Sequence, residues 1–335
     1  MAGKKVMKEN DKSLFEELIS WHNLHSAYKL AIRGKKHKEK NQRFMFNLEN
    51  ELLRLKCELA QNRYIPSAYR YFKIFIPKER IISVAAFRDR IVHHALVRVI
   101  EPVYEQLFIE DSYATRKNKG LHKAVYRAQE YSQVNQWYLK LDIRKYFDSI
   151  RHEVLNRILQ RDIDDLNVCR LMQLIIATHK SDDQEGLPVG NLSSQFFGNV
   201  YLNEADHFIR QAGIKHYIRY MDDMLLFSDT SEHLKEILKR LDQFLFETLK
   251  LKIKEKSVQI NYCDRGIPFL GFRIFPDRIR VQNVNIKRMK QKIKEKEYLF
   301  KKGYISEETL NNSVQSTIAY IETGNTFKLR ERIWG

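Results

Sequence analysis

The stretch Tyr217-Ile218-Arg219-Tyr220-Met221-Asp222-Asp223-Met224-Leu225-Leu226-Phe227-Ser228 limits the fold more than any other part of the chain. Two adjacent carboxylates stand between two runs rich in aromatic and aliphatic residues. Such runs have strand composition, which predicts a β-hairpin with Met221, Asp222 and Asp223 at its turn. Neighbouring side chains on a strand point to opposite faces, so one Asp is expected to face a site and the other to face away. One carboxylate cannot hold two divalent cations, so a second is expected from elsewhere. Asp142 is the candidate, because it ends the short apolar run Tyr138-Leu139-Lys140-Leu141 and so sits at a strand edge. The chain reads as a scaffold that brings Asp142 and Asp222 together.

A chain of 335 residues can bury a substantial core and form about two or three subdomains. No run approaches the ~18 apolar residues of a membrane span, and the start, Met1-Ala2-Gly3-Lys4-Lys5, is not followed by the apolar segment of a signal peptide. Cys57, Cys169 and Cys263 are far apart, without CxxC spacing. A reduced, cytoplasmic protein with no membrane partner is therefore expected. Charge is the informative total: 59 Lys and Arg against 42 Asp and Glu give +17. An excess of this size favours a polyanionic partner, of which nucleic acid is the commonest. Seventeen Tyr and nineteen Phe add rings on which bases can stack.

Taken in order, residues 13–33 and 42–61 carry helical periodicity, with Leu14, Leu18, Trp21 and Leu24 in the first and Phe44, Leu48, Leu52 and Leu55 in the second. The run Gly34–Lys40 between them reads as a solvated linker, with a contact to a phosphate backbone as the alternative. Tyr69–Ile82 is strand-like with a basic tip, followed by a helix over about 87–107 and a basic loop, Ser112–Gly120. Another helix, about 121–132, precedes Asp142, and 151–185 is mostly helical. In Gly186–Gln195 the glycines and proline predict a turn, with Asn191, Ser193 and Ser194 as helix caps. After the hairpin come a periodic helix from Glu232 to Leu249, a basic segment Lys250–Lys256, a strand pair at 268–274 and a basic helical end.

Nucleotidyl transfer by two Mg²⁺ ions suits oxygen ligands on rigid strand ends. No competing site is legible: the eleven histidines show no HExxH or HxH spacing, and no GxxxxGK[ST] loop occurs. Tyr220-Met221-Asp222-Asp223 resembles the catalytic hairpin of reverse transcriptases. Asp142–Asp148 is similar to their first palm motif, and Gly186–Gln195 to their template- and nucleotide-positioning motif. Lys256-Ser257 resembles the lysine-bearing palm segment, and Phe269-Leu270-Gly271-Phe272 the primer grip. Upstream, Ile76-Pro77-Lys78, Asp89-Arg90-Ile91-Val92, Glu101-Pro102 and Ser112-Tyr113 are similar to the fingers motifs of group II intron-like bacterial enzymes. These matches run in the family's order over residues 65–275.

The resemblance implies an α+β right-hand polymerase: helical N-terminal extension 1–62, fingers 63–137, palm 138–275 with a fingers insertion at about 155–185, and helical thumb 276–335. It implies metal ligation by Asp142, Asp222 and the Ile143 backbone carbonyl, with Asp223 in support and Mn²⁺ as a substitute ion. Lys78, Arg80, Phe147, Val189, Gly190, Gln195 and Lys256 would meet the nucleotide, Phe147 as a steric gate whose bland alternative is a core residue. Arg116, Tyr220, Met221, Phe269, Leu270 and Gly271 would meet nucleic acid. Departures narrow the branch: Val189 stands where most reverse transcriptases carry Gln, and Ser194-Gln195 where they carry Ser-Pro. The form Gly-Leu-Pro-Val-Gly-Asn-Leu-Ser-Ser-Gln resembles diversity-generating retroelements, as does Ser20-Trp21-His22-Asn23-Leu24. That kinship implies an RNA template, a nucleic-acid primer, dNTPs and a small basic accessory protein in a bacterial or phage-infected cell. With the sequence ending at Gly335, RNase H or nuclease functions are expected in trans. Two alternatives stay open: a stand-alone bacterial enzyme of defence, retron-like or intron-derived type, and a catalytically silent RNA-binding scaffold.

Overall fold

The structure is a computed structural model that describes residues 13–35, 39–75, 79–179 and 185–326. The two N-terminal periodic stretches form four helices, α1 (Leu14–Leu18), α2 (Trp21–Ile32), α3 (Glu39–Phe46) and α4 (Leu48–Ala60). The first break is chemical. Ser13 and Glu16 form a capping box on α1, and Ser20 Oγ accepts the Asn23 amide to open α2 as a separate helix. β1 (Arg70–Ile74) and β2 (Arg80–Val84) make the expected hairpin, and α5 (Phe87–Glu105) the long helix after it. Lys78, at the hairpin tip, lies outside the described residues.

Next come α6 (Leu121–Val134), β3 (Trp137–Asp142), α7 (His152–Asp162), α8 (Leu166–Ala177) and α9 (Leu192–Gln211). The hairpin strands are β4 (Tyr217–Tyr220) and β5 (Asp223–Ser228), followed by α10 (Ser231–Leu249) and β6 (Gln259–Tyr262). The chain continues through β7 (Ile267–Phe269), β8 (Phe272–Ile274), β9 (Ile279–Val281), α11 (Asn283–Lys301) and α12 (Glu307–Glu322). This is a mixed helix-and-sheet fold. Among the described residues no helix is long and apolar enough to cross a membrane.

Packing divides the chain into two compact units. Of the described residues, one unit holds those up to Glu110 with those of Ile143–Phe208 and Leu241–Ile253; the other holds Asp111–Asp142, Ile209–Arg240 and those from Lys254 onward. The units interleave along the sequence. In the first, α2 packs on α5 around fully buried Leu24, Ile91, Ala95 and Leu96. Asn23 Nδ2 stitches this contact, donating to the carbonyls of Leu18 and Ala95, both at 3.0 Å. In the second, an antiparallel sheet of order β4-β5-β3-β6 and a smaller one of order β7-β8-β9 share a core with α6. Ala124, Val125, Leu225, Ile267 and Phe272 are sealed from water there.

Candidate active site

β3 and β5 pair antiparallel with Asp142 opposite Asp223, and β4 pairs with β5 with Tyr220 opposite Asp223. Met221 and Asp222 therefore form the whole turn, and Asp223 is the first residue of β5. Directly opposed residues lie on one face of a sheet, so Asp223 shares the face of Asp142, and the expectation that it faces away is corrected. Asp222 reaches Asp142 from the turn through a hydrogen bond. Burial, the facing charge and that bond push the Asp222 carboxyl up to about 7. Asp223 is also raised, chiefly by burial, with Lys140 opposing, Asp142 reinforcing and Lys254 opposing.

The turn is strained and tied down. Met221 has φ +57°, a conformation that favours glycine. Arg219, fully buried on β4, donates from Nη1 to the Met221 carbonyl at 3.2 Å. The other edge of β4 is held by the chain at 111–113: the Arg219 amide donates to Asp111 O at 3.0 Å and the Tyr113 amide to Arg219 O at 2.9 Å. Asp111 is itself an anchor, accepting from Tyr131 at 2.6 Å, Tyr113 at 2.9 Å, Arg127 at 3.0 Å and Arg210 at 3.1 Å. Sequence reading missed Arg219 and Asp111, because an isolated charged residue gives no sign that it is buried.

Lys254, a residue the sequence reading did not single out, meets the carboxylates: its amide donates to Asp142 O at 2.9 Å and its Nζ to Asp142 Oδ2 at 3.1 Å. Ser257 Oγ accepts the Asp142 amide at 3.1 Å. Lys256 is exposed in a short 3₁₀ turn, Glu255–Ser257. Lysines recur at every second position from 250 to 256, so only register could select among them.

Among the described residues no ready cluster of three metal-ligating side chains is formed. The donors nonetheless suit a hard divalent cation: they are oxygens, they repel one another, and one already attracts an ammonium. Ile143, next in the chain after Asp142, is buried and bridges to Ile253 in the first unit.

The other nucleotide candidates assemble in the first unit. The segment at 186–191 is bonded on both sides: Gly186 and Leu187 donate to the carbonyls of Ile150 and Phe147, and Ser83 of β2 donates to Val189 O, all at 2.8 Å. Gly190 has φ +113°, and a Cβ there would meet Ile82 Cγ2 at 2.8 Å, so the backbone can lie this close to β2 only as glycine. Asn191 directly precedes α9, and its carbonyl accepts the Gln195 amide at 3.2 Å. Its Oδ1 accepts from Ala85 N and its Nδ2 donates to Ser83 O, each at 3.3 Å, while Ser193 and Ser194 are buried. Phe147 and Gln195 are half-buried, and Arg80 is exposed at the start of β2.

Four nucleic-acid candidates turn out to be engaged in the fold. Arg116 donates to Ser112 O at 2.9 Å, closing its own loop. Phe269 is 1% exposed, so its side chain belongs to the core and offers nucleic acid no ring. Leu270 and Gly271 form the β7–β8 turn with φ +48° and +89°; Tyr320 donates to the Leu270 carbonyl at 3.3 Å and Asn285 Nδ2 to the Gly271 carbonyl at 3.1 Å. Tyr220 and Met221 are half-buried beside the carboxylates.

A family model described as reverse transcriptase (RNA-dependent DNA polymerase) matches residues 76–274. Protein YkfC of Escherichia coli (strain K12) is 26% identical over 288 residues, 70% of this chain and 74% of that protein. The group II intron-encoded protein LtrA of Lactococcus lactis subsp. cremoris is 21% identical over 346 residues, 81% of this chain and 54% of that protein. The chain thus spans about half the length of the latter. A solved telomerase from Candida albicans superposes with a TM-score of 0.48 at 12% identity, covering 65% of this chain and 46% of that one.

Proposed function

The chain belongs to the reverse transcriptase family, the RNA-dependent DNA polymerases, and from that membership we propose that it copies a template-repeat RNA into adenine-mutagenised cDNA for mutagenic retrohoming in a diversity-generating retroelement. The observation that carries the catalytic reading is the convergence of Asp142, Asp222 and Asp223, with the Asp222 carboxyl raised to about 7. A binding scaffold has no need to bury like charges together. Asp142, Asp222 and the Ile143 carbonyl would hold the ions, with Asp223 in support. Bound Mg²⁺, or Mn²⁺ in its place, supplies activation of a primer 3′-hydroxyl and neutralisation of the triphosphate. Lys254 contributes a fixed positive charge at Asp142, and Arg219 holds the turn that aims Asp222. On the family pattern, Lys78, Arg80, Phe147, Val189, Gly190 and Gln195 contact the dNTP, Phe147 against the sugar, and Lys256 is the acid to pyrophosphate. On the same pattern, Arg116, Tyr220, Met221, Leu270 and Gly271 lie along the template and primer, and the architecture is fingers, palm and thumb.

Val189 and Ser194-Gln195 favour the retroelement branch. An aliphatic side chain in place of an amide removes a polar contact near the templating pair, which weakens selection of the incoming base. The accessory protein and the bacterial cytoplasm follow from the same branch. The test is primer extension on an RNA template with Mg²⁺ and dNTPs, comparing wild type with Asp222→Asn and sequencing the products. cDNA from wild type alone, with errors opposite adenines, is the expected result. Accurate cDNA would keep the polymerase and overturn the retroelement branch; no product in the presence of the neighbouring genes' products would overturn catalysis.

A further inference from the structure

A groove of about 850 Å³ lies wholly within the first unit, between the start of α7 and the end of α10. Four cations line it, Arg151, Arg157, Lys250 and Lys252, against two carboxylates, Glu153 and Glu247. In its wall stands Phe246, 57% exposed. That exposure follows from helix geometry. Leu241, Leu245 and Leu249 form the buried stripe of this half of α10, and Phe246, one position off the stripe, is left in water. The Lys252 ammonium lies 5.8 Å from the Phe246 ring centroid. The groove has a firm base, because Tyr201 donates to the Leu249 carbonyl at 2.6 Å and Arg144 N to Lys252 O at 2.9 Å.

Lys250 is the telling residue. It closes α10 with φ +55°, the left-handed position after a helix that glycine fills with least strain. A lysine there carries a backbone strain that glycine would avoid. The arginines are held but not neutralised for good. Arg157 pairs with Glu153 at 2.8 Å and Arg151 with Glu185 at 3.0 Å, and all four side chains have solvent access. Such exposed pairs are weak and exchange readily for phosphate.

We propose that this groove binds a single-stranded stretch of RNA, with phosphates on Arg151, Arg157, Lys250 and Lys252 and one base stacked on Phe246. Ring and cations in one trough match the recognition of single strands, whose bases are free to stack, and do not match a duplex, whose base faces are hidden. None of these residues belongs to the polymerase site, and the choice of RNA rests on the reverse transcriptase reading.

The test uses the full chain with its polymerase site filled by a saturating RNA hairpin that serves as its own template and primer. Binding of a labelled 20-nucleotide oligouridylate is then measured by fluorescence anisotropy across a salt series. Phe246→Ala is expected to weaken binding by about tenfold with the salt slope unchanged. Lys250→Gly and Lys252→Gln should each lower the slope by about 0.7. Lys250→Gly also relieves strain, so its melting temperature should hold or rise, which separates lost binding from lost folding. Extension of the hairpin should match wild type in all three. Unchanged oligouridylate binding in the variants, or its complete displacement by the hairpin, would overturn the groove. So would a 20-residue polyglutamate that competes with dependence on Lys250 and Lys252 but none on Phe246, because it would assign the groove to an acidic protein. An oligothymidylate bound as tightly as the oligouridylate would overturn the choice of RNA. Failure of wild type to extend the hairpin strikes at the polymerase reading instead and leaves the binding comparison intact.

Discussion

A carboxyl that titrates near 7 holds back repulsion that a proton or a cation relieves. The folded-state pKa of Asp222 lies above the ordinary carboxylate value, so its contribution to stability is complete below about pH 4 and is lost as pH rises through about 7. Asparagine has the same shape and no charge. In chelator at pH 8, Asp222→Asn is therefore expected to be more stable than wild type by on the order of 2 kcal/mol, with the gap closing towards pH 4. Thermal melts across that range check it, and parallel curves would refute the repulsion. Arg219 makes a second residue-scale case. Its guanidinium is fully buried and holds a strained turn through the Met221 carbonyl. Lysine keeps the charge and loses the planar fork. Arg219→Lys is expected to lower kcat by about tenfold to a hundredfold through misplacement of Asp222, with nucleotide KM changing by less than about twofold. A loss carried by KM instead would place Arg219 in nucleotide binding.

At the scale of elements, alternation and periodicity located β3, β4, β5, α9 and α10, because each buries one face and its sequence records that face, but not β6, the fourth strand of the carboxylate sheet, whose residues are half-buried or exposed. The register could not be read. Nothing in the residue types states that Asp142 stands opposite Asp223, or that Lys254 rather than Lys256 ends beside Asp142. Residues with two uses also misled. Phe269 sits in a motif associated with primer binding yet fills the core, and Asn191 stands at the start of α9 and also joins its loop to the segment after β2. Gly190 shows the same doubling in a testable form. Its positive φ and the close approach of Ile82 make glycine obligatory for packing, whatever it does for a nucleotide. Gly190→Ala is expected to cost about 1–3 kcal/mol of stability in addition to any loss of activity. Denaturant titration measures this, and an unaltered midpoint would confine the role of Gly190 to the ligand.

Across the whole molecule, the sequence does not record how the two units interleave. Each unit is closed by contacts between segments far apart in sequence, which composition does not report. Net charge, by contrast, was legible from the first count. An excess of +17 acts through phosphates and not through base identity. If about six phosphates are engaged, affinity for a template–primer should fall by about a thousandfold between about 50 and about 200 mM salt. Asp222→Asn should show the same slope, because on the proposed reading that residue would hold ions and not the nucleic-acid backbone. Anisotropy titrations on both proteins at several salt concentrations measure it. A flat wild-type response would mean that the positive surface is turned to some partner other than nucleic acid. A steep wild-type slope flattened by Asp222→Asn would mean that the carboxylate site itself sets how nucleic acid is held.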